Sequence, residues 1–300
     1  MCMTETAVTF GGSQSLIGIV TDPKNENERS DRAVVLLNPG IVHRVGPGRI
    51  YVKIARAFAE LGFTALRFDF SGIGDTPVRR DNLQFEKSAI RETQDAMDFL
   101  SETRGVNNFV LLGGCSGAKI ALETAAQDQR VMGTCLSNFP MDEDEEESEE
   151  SDATYRPSRY YYRNHALRSL TSWIRLATGR ANYRKIARIL WIEVTKRFYA
   201  ANKSSHSATA FQATLQCAVS QGTQVTFLCS EGDPRREDLL AAGGDWFKRL
   251  CANGGIRLEI IRRSDHTFSS LGDQELLLKV LLRRMEIFRS RETPSECISA

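Results

Sequence analysis

Long apolar runs, a leader-like opening, regularly spaced cysteines and an excess of one charge are all missing from the pattern of these 300 residues, and each bears on the class of protein to expect. No stretch of 18 or more apolar residues occurs, so no segment reads as a membrane-spanning helix. The opening MCMTETAVTF has no basic n-region and no apolar h-region, and it does not read as a signal peptide. Lys and Arg number 39 against 38 Asp and Glu, a net charge of +1, so no bulk field draws the chain to nucleic acid or anionic lipid. The seven cysteines are odd in number, scattered and without CxxC spacing. That usage fits reduced thiols in a cytoplasmic protein and argues against a disulfide framework or a zinc site. What remains is ordinary globular composition, 41% hydrophobic and 26% charged, on a chain long enough for a sizeable core.

Short β-rich runs alternate with helical patterns, which predicts a mostly parallel sheet covered by helices. Ala7 to Phe10 and Leu16 to Val20 flank Gly-Gly-Ser-Gln and read as a hairpin. Ala33-Val-Val-Leu-Leu37 is a continuous apolar run of the buried parallel-strand type. Further strands are predicted at Phe63 to Phe70, Phe109 to Leu112, Val131 to Leu136, Val225 to Cys229 and Ile256 to Ile261. Helices are predicted at Ile50 to Leu61, Phe85 to Thr103, Gly117 to Ala125 and Arg236 to Cys251, with a last one opening at Asp265-His266-Thr267 and reaching Phe288. The rhythm breaks at residues 142–152, where nine of eleven positions are acidic. Such a block repels itself and reads as a solvated, mobile loop. From Tyr155 to Phe211 the pattern is helical and basic, as expected of an insertion on the sheet. The division that follows is a first core segment at 1–139, an acidic loop and helical cap at 140–211, a second core segment at 212–290 and a frayed tail at 291–300.

The stretch from Val110 to Leu122, VLLGGCSGAKIAL, is the most informative. An apolar strand runs into a Gly-flanked nucleophile and then a helix, the pattern of a nucleophile elbow. The turn is so sharp that the residues two before and two after its apex must be small. Two registers fit. With Cys115 at the apex the flanks are Gly113 and Gly117; with Ser116 there they are Gly114 and Ala118. Strand length and helix phase favour Cys115, and a thiol beside a histidine and a helix N-terminus is a competent nucleophile.

Of four histidines, His165 and His206 lie in the helical insertion, and His266 follows the last predicted strand. The chain order nucleophile, acid, histidine makes His266 the base. Asp233, in Ser230-Glu-Gly-Asp, follows the preceding strand and is the acid that would fix the imidazole tautomer. Asp265 adjoins His266 and is badly placed to bridge to its ring. An oxyanion pocket needs two backbone N–H groups. One belongs to the residue after the nucleophile, Ser116 or Gly117 according to register. The other is expected from Ile41, in the loop Asn38-Pro-Gly-Ile-Val-His43, where Gly40 lets the chain turn inward and His43 borders the pocket.

Together these segments, with Arg67-Phe-Asp-Phe-Ser-Gly-Ile-Gly-Asp75, resemble the α/β-hydrolase superfamily, and more narrowly its serine aminopeptidase-like branch that includes the exosortase-A-associated hydrolases. The resemblance implies a mostly parallel eight-stranded sheet with helices on both faces, a helical cap after the sixth strand, and acyl-enzyme hydrolysis without cofactor or metal. The departure is Cys115 at the usual serine position. The expected activity is hydrolysis of an ester or thioester on a small-molecule acyl substrate. Acyl transfer or cyclisation through the same acyl-enzyme is one alternative, and a non-catalytic ligand- or partner-binding role is another. A phosphate-binding reading of Ser71-Gly-Ile-Gly-Asp75 fails on spacing. The basic insertion helices read as solvated faces rather than a nucleic-acid surface.

Overall fold

The computed structural model describes residues 3–12, 15–25, 30–81, 83–141, 208–233 and 235–290. Eight strands form one sheet: β1 (Thr4–Phe10), β2 (Leu16–Asp22), β3 (Arg32–Leu37), β4 (Thr64–Asp69), β5 (Asn108–Gly114), β6 (Val131–Ser137), β7 (Gln224–Ser230) and β8 (Ile256–Ile261), in the order β1-β2-β4-β3-β5-β6-β7-β8. The hairpin β1–β2 joins β4 antiparallel, and every pairing from β4 onward is parallel. The central strands are buried on both faces: all six residues of β3 and of β4 lie inside. That is why they read as unbroken apolar runs rather than as an alternation.

The helices are α1 (Ile50–Glu60), α2 (Phe85–Arg104), α3 (Ser116–Ala125), α4 (Arg235–Ala252) and α5 (Leu271–Ser290), and residues 208–220 are also helical. Alternate residues of the strands serve opposite faces. Val34 and Leu36 of β3, with Val110 and Leu112 of β5, pack against Ile54 and Phe58 of α1 and Leu281 and Phe288 of α5. On the other side Phe10 stacks on Phe99 of α2 at 5.1 Å and meets Phe68 edge-on at 5.5 Å, and α2 packs on α3. Each fully buried phenylalanine, such as Phe58, Phe68 or Phe109, contributes about 1.5–3 kcal/mol over an exposed one.

The last helix begins later than its sequence pattern predicts. Residues 265–270 form a loop, and α5 starts at Leu271. The Asp265 carboxylate causes this by accepting the N–H groups of Thr267 and Ser269, both at about the ideal length (3.0 and 3.1 Å), which substitutes a side-chain turn for the first helical turn. The chain divides into two compact units, Met1–Pro140 with Phe211–Ala300, and Met141–Ala210. The acidic run and nearly all of the expected cap at 140–211 lie outside the described residues, as does the tail from 291. No helix among the described residues is long and apolar enough to cross a membrane.

Candidate active site

Because β3 to β8 run parallel, their C-terminal ends open on one edge of the sheet, where open α/β sheets bind ligands. Cys115, Asn138, Asp233 and His266 lie at or just after the ends of β5, β6, β7 and β8.

Cys115 occupies the turn between β5 and α3 with φ 51° and ψ −123°, a conformation L-residues seldom adopt. Such a residue costs on the order of 1–3 kcal/mol and persists only where its surroundings impose it. Here the imposing contacts are visible. A Cβ on Gly113 would lie 2.2 Å from the carbonyl oxygen of Gly117, and a Cβ on Gly117 would lie 2.5 Å from that of Asn38. Gly114 is different, since a Cβ there meets nothing closer than 3.4 Å. The steric demand therefore falls two residues either side of Cys115, and Cys115 is the apex of the turn. Ala118 is buried in α3. The Cys115 N–H donates to the Ser137 carbonyl at 2.9 Å, tying the apex to the end of β6. Ser116 opens α3, and its Oγ accepts the N–H of Gly40 at 2.9 Å, so that hydroxyl faces the loop after β3.

His266 and Asp233 meet across the ends of β8 and β7: Nδ1 lies 2.5 Å from Oδ2 of Asp233. The other carboxylate oxygen accepts the backbone N–H of Arg235 at 3.0 Å. Arg235, the first residue of α4, sends Nη1 to 3.1 Å from the Cys115 sulfur and 3.3 Å from Nε2 of His266. Burial opposes charge on all three members of the cluster, yet each is shifted toward its charged form. The Cys115 thiol is pushed up by burial but held below its ordinary range by hydrogen bonding to His266 and by the Arg235 charge. Burial pulls the imidazole down, but hydrogen bonds to Asp233 and Cys115 lift it to about 9, against repulsion from Arg235. Asp233 stays below the usual carboxylate range because the ring and the Arg235 N–H outweigh its burial. All three shifts thus run toward the charged form of the group. Nη1–H of Arg235 donates to the sulfur. By contrast, burial pushes the Cys135 thiol up to about 12, and burial together with the Asp233 charge does the same for Cys229.

Groups without a sequence signature hold this arrangement. Tyr51 of α1 donates to the Leu37 carbonyl at 2.9 Å and accepts the Gly114 N–H at 3.2 Å, linking the ends of β3 and β5. Asn138, after β6, has φ 48° and is buried. Its Nδ2 donates to the His266 carbonyl at 2.7 Å, while its Oδ1 accepts the Ser230 N–H at 2.8 Å and the Ser230 hydroxyl at 3.2 Å. One side chain thereby joins the tip of β7 to the histidine loop. On the other flank, Asn38 accepts the Phe70 N–H at 3.0 Å and donates to the Val42 carbonyl at 2.9 Å. Buried Asp69 accepts the backbone N–H of Arg44 and pairs with its guanidinium. These bonds shape the loop carrying Gly40, Ile41 and His43. Gly40 takes φ 58°, the Ile41 side chain is exposed, and His43 is exposed beside Gly74, outside the hydrogen-bond network of Cys115, His266 and Asp233. Asp265 is engaged within its own turn, its carboxylate on Thr267 and Ser269. Among the described residues no group of three or more His, Cys, Asp or Glu is placed to hold a metal ion.

A sheet of this order with a strained strand-to-helix turn at the end of its fifth strand is the arrangement of an α/β-hydrolase-type protein. The chain matches the family model described as the alpha/beta hydrolase fold over residues 33–233, and it belongs to that family. No curated protein matches its sequence. Similar solved structures include a serine hydrolase without lid from Xanthomonas campestris, 15% identical with a TM-score of 0.56 over 98% of this chain and 99% of that one. An esterase from Pyrococcus furiosus is 11% identical with a TM-score of 0.59, covering 95% and 93%. The hydrolase GrgF from Penicillium sp. sh18 is 19% identical with a TM-score of 0.58, covering 97% and 100%. At these identities the likeness is one of fold.

Proposed function

We propose that this protein hydrolyses an ester or thioester of a small-molecule acyl group through an acyl-cysteine. The observation that carries the reading is Cys115 at a strained strand-to-helix apex, its thiol held below the ordinary range beside an imidazole bonded to Asp233 at 2.5 Å. The thiolate attacks the carbonyl carbon, and the carbonyl π pair moves to oxygen. The backbone N–H groups of Ser116 and Ile41 hold that oxyanion, aided by the N-terminus of α3. Collapse expels the alkoxide or thiolate leaving group, which takes the proton from Nε2 of His266. Asp233 keeps the ring in the tautomer that can deliver it. Neutral Nε2 then takes a proton from water, and the hydroxide adds to the acyl-cysteine. Expulsion of the thiolate releases the carboxylic acid and restores the ion pair. Ser116 has a supporting part, since its Oγ holds the loop that presents Ile41.

Two variants test this reading. Cys115→Ala is expected to abolish turnover of an activated thioester, and Ser116→Ala to leave much of it. The opposite pair of results would make Ser116 the nucleophile. Iodoacetamide should also label Cys115 ahead of Cys135 and Cys229, because thiolate character controls that rate.

A further inference from the structure

Asp69 has no part in the proton transfers just described, yet its carboxylate holds the loop that carries Ile41. It is the last residue of β4 and is fully buried. One of its oxygens, Oδ1, accepts Nδ2–H of Asn38 at 3.2 Å and the backbone N–H of Arg44 at 2.5 Å, so both ends of the stretch 38–44 are tied to a single atom. The other, Oδ2, pairs with the Arg44 guanidinium, whose second terminal nitrogen donates to Asp75 at 2.6 Å. A buried carboxylate left without its partner is strongly destabilising, and here the arginine that neutralises it belongs to the loop it holds. The loop after β4 closes over the pair: a Cβ on Gly74 would lie 2.3 Å from Oδ2.

Within the tied stretch the backbone donors are divided. The Gly40 N–H goes to Ser116 Oγ at 2.9 Å and the Val42 N–H to the Pro39 carbonyl at 3.2 Å. Between them, no described residue accepts the Ile41 N–H. A donor left over between two engaged neighbours, on a turn bonded to the first residue of α3, is the one that an incoming oxygen can take.

We propose that Asp69 is a positioning residue for the oxyanion pocket: with Arg44 and Asn38 it fixes the 38–44 loop so that the Ile41 N–H meets the carbonyl oxygen of the substrate. The inference rests on the acyl-cysteine reading, and it says which step suffers when the carboxylate is removed. The oxygens of Asp69 are committed to Asn38 and Arg44, so ionisation of Cys115 is left as it was. Charge developing on the carbonyl oxygen loses a placed donor.

Two reagents that both take the Cys115 thiolate separate these steps. With iodoacetamide the sulfur displaces iodide, and no carbonyl oxygen gains charge. With trifluoroacetone the sulfur adds to the carbonyl carbon, the π pair moves to oxygen, and a hemithioketal oxyanion is left in the pocket. In Asp69→Asn the labelling rate and its half-rise with pH are expected to stay at the wild-type values. Affinity for trifluoroacetone and kcat for an activated thioester should each fall about a hundred-fold with KM little changed, the scale of a misplaced oxyanion donor. The double variant Asp69→Asn with Arg44→Gln leaves no charge buried alone and should give the same pair of results, which covers a failure of the single variant to fold. Ketone affinity kept in these variants would make Asp69 a fold contact only, and affinity lost in step with labelling would make it a general support of the site; either overturns the positioning role. A wild type that binds the ketone through Asp69 but turns over no thioester would keep that role and overturn the hydrolase reading. A wild type that is alkylated yet binds no ketone would overturn the oxyanion pocket and this inference with it.

Discussion

At the residue scale, the site turns on how burial is opposed at Cys115, His266 and Asp233. Burial would neutralise each, and mutual hydrogen bonding with the Arg235 charge reverses that. The pH dependence follows with a definite sign. On the acid side the rate rises as the Cys115 thiol ionises, below the ordinary thiol range near 8.5. On the basic side kcat/KM falls as His266 loses its proton near about 9, because the leaving group then has no donor. The expected profile for thioester hydrolysis is a bell, and for iodoacetamide labelling a rise to a plateau. In His266→Ala the half-rise of labelling should move upward toward the ordinary thiol value; an unmoved half-rise would show that the imidazole does not govern the thiol. That Cys115, Asp233 and His266 lie at one edge of the sheet was legible because each follows a recognisable strand. Arg235 was not: it lies 120 residues from Cys115, and nothing in Pro-Arg-Arg-Glu marks one arginine as facing a sulfur.

At the scale of elements, the β5–α3 turn is where sequence and structure meet most closely. Glycines at 113, 114 and 117 left two registers open on paper, since small residues satisfy both. Space decides between them: a methyl on Gly113 would strike the Gly117 carbonyl at 2.2 Å, whereas one on Gly114 has ordinary contact at 3.4 Å from Pro39. Gly113→Ala should therefore destabilise by about 3 kcal/mol or prevent folding, and Gly114→Ala by about 1 kcal/mol or less. Urea unfolding of the two variants checks this, and equal costs would mean that the turn is not built around Cys115. Tyr51→Phe removes a donor and an acceptor from the ends of β3 and β5 and should cost about 1–3 kcal/mol. The strands were legible as apolar runs because both faces of the sheet are covered. The start of α5 was not, because the Asp265 carboxylate makes a turn whose side-chain bonds compete with the helix. Periodicity cannot see that competition.

Across the whole molecule, Cys115 comes from the chain before residue 141, and Asp233 and His266 from the chain after 207. Their alignment depends on the parallel pairing of β6 with β7 and on Asn138, which bonds to both Ser230 and the His266 carbonyl. Asn138→Ala leaves the buried Ser230 N–H without its acceptor and should lower stability by about 2–3 kcal/mol. Because the same side chain positions the histidine loop, the acid limb of the labelling profile should shift as well; a stability loss with an unchanged profile would make Asn138 structural only. That the sheet is mostly parallel was legible from the βα rhythm, since parallel neighbours need long crossovers, whereas the strand order was not. The tie across the β6–β7 junction was not, for a lone Asn before Phe139 and Pro140 looks like any turn residue.

The central claim, that Cys115 carries the acyl group, is tested most directly by trapping it. The protein is mixed with an activated thioester, quenched in acid within the turnover time, and mapped by peptide mass spectrometry. The account predicts an acyl adduct on Cys115 in the wild type and in Ser116→Ala, and none in Cys115→Ala. An adduct on Ser116, or turnover persisting in Cys115→Ala, would contradict it.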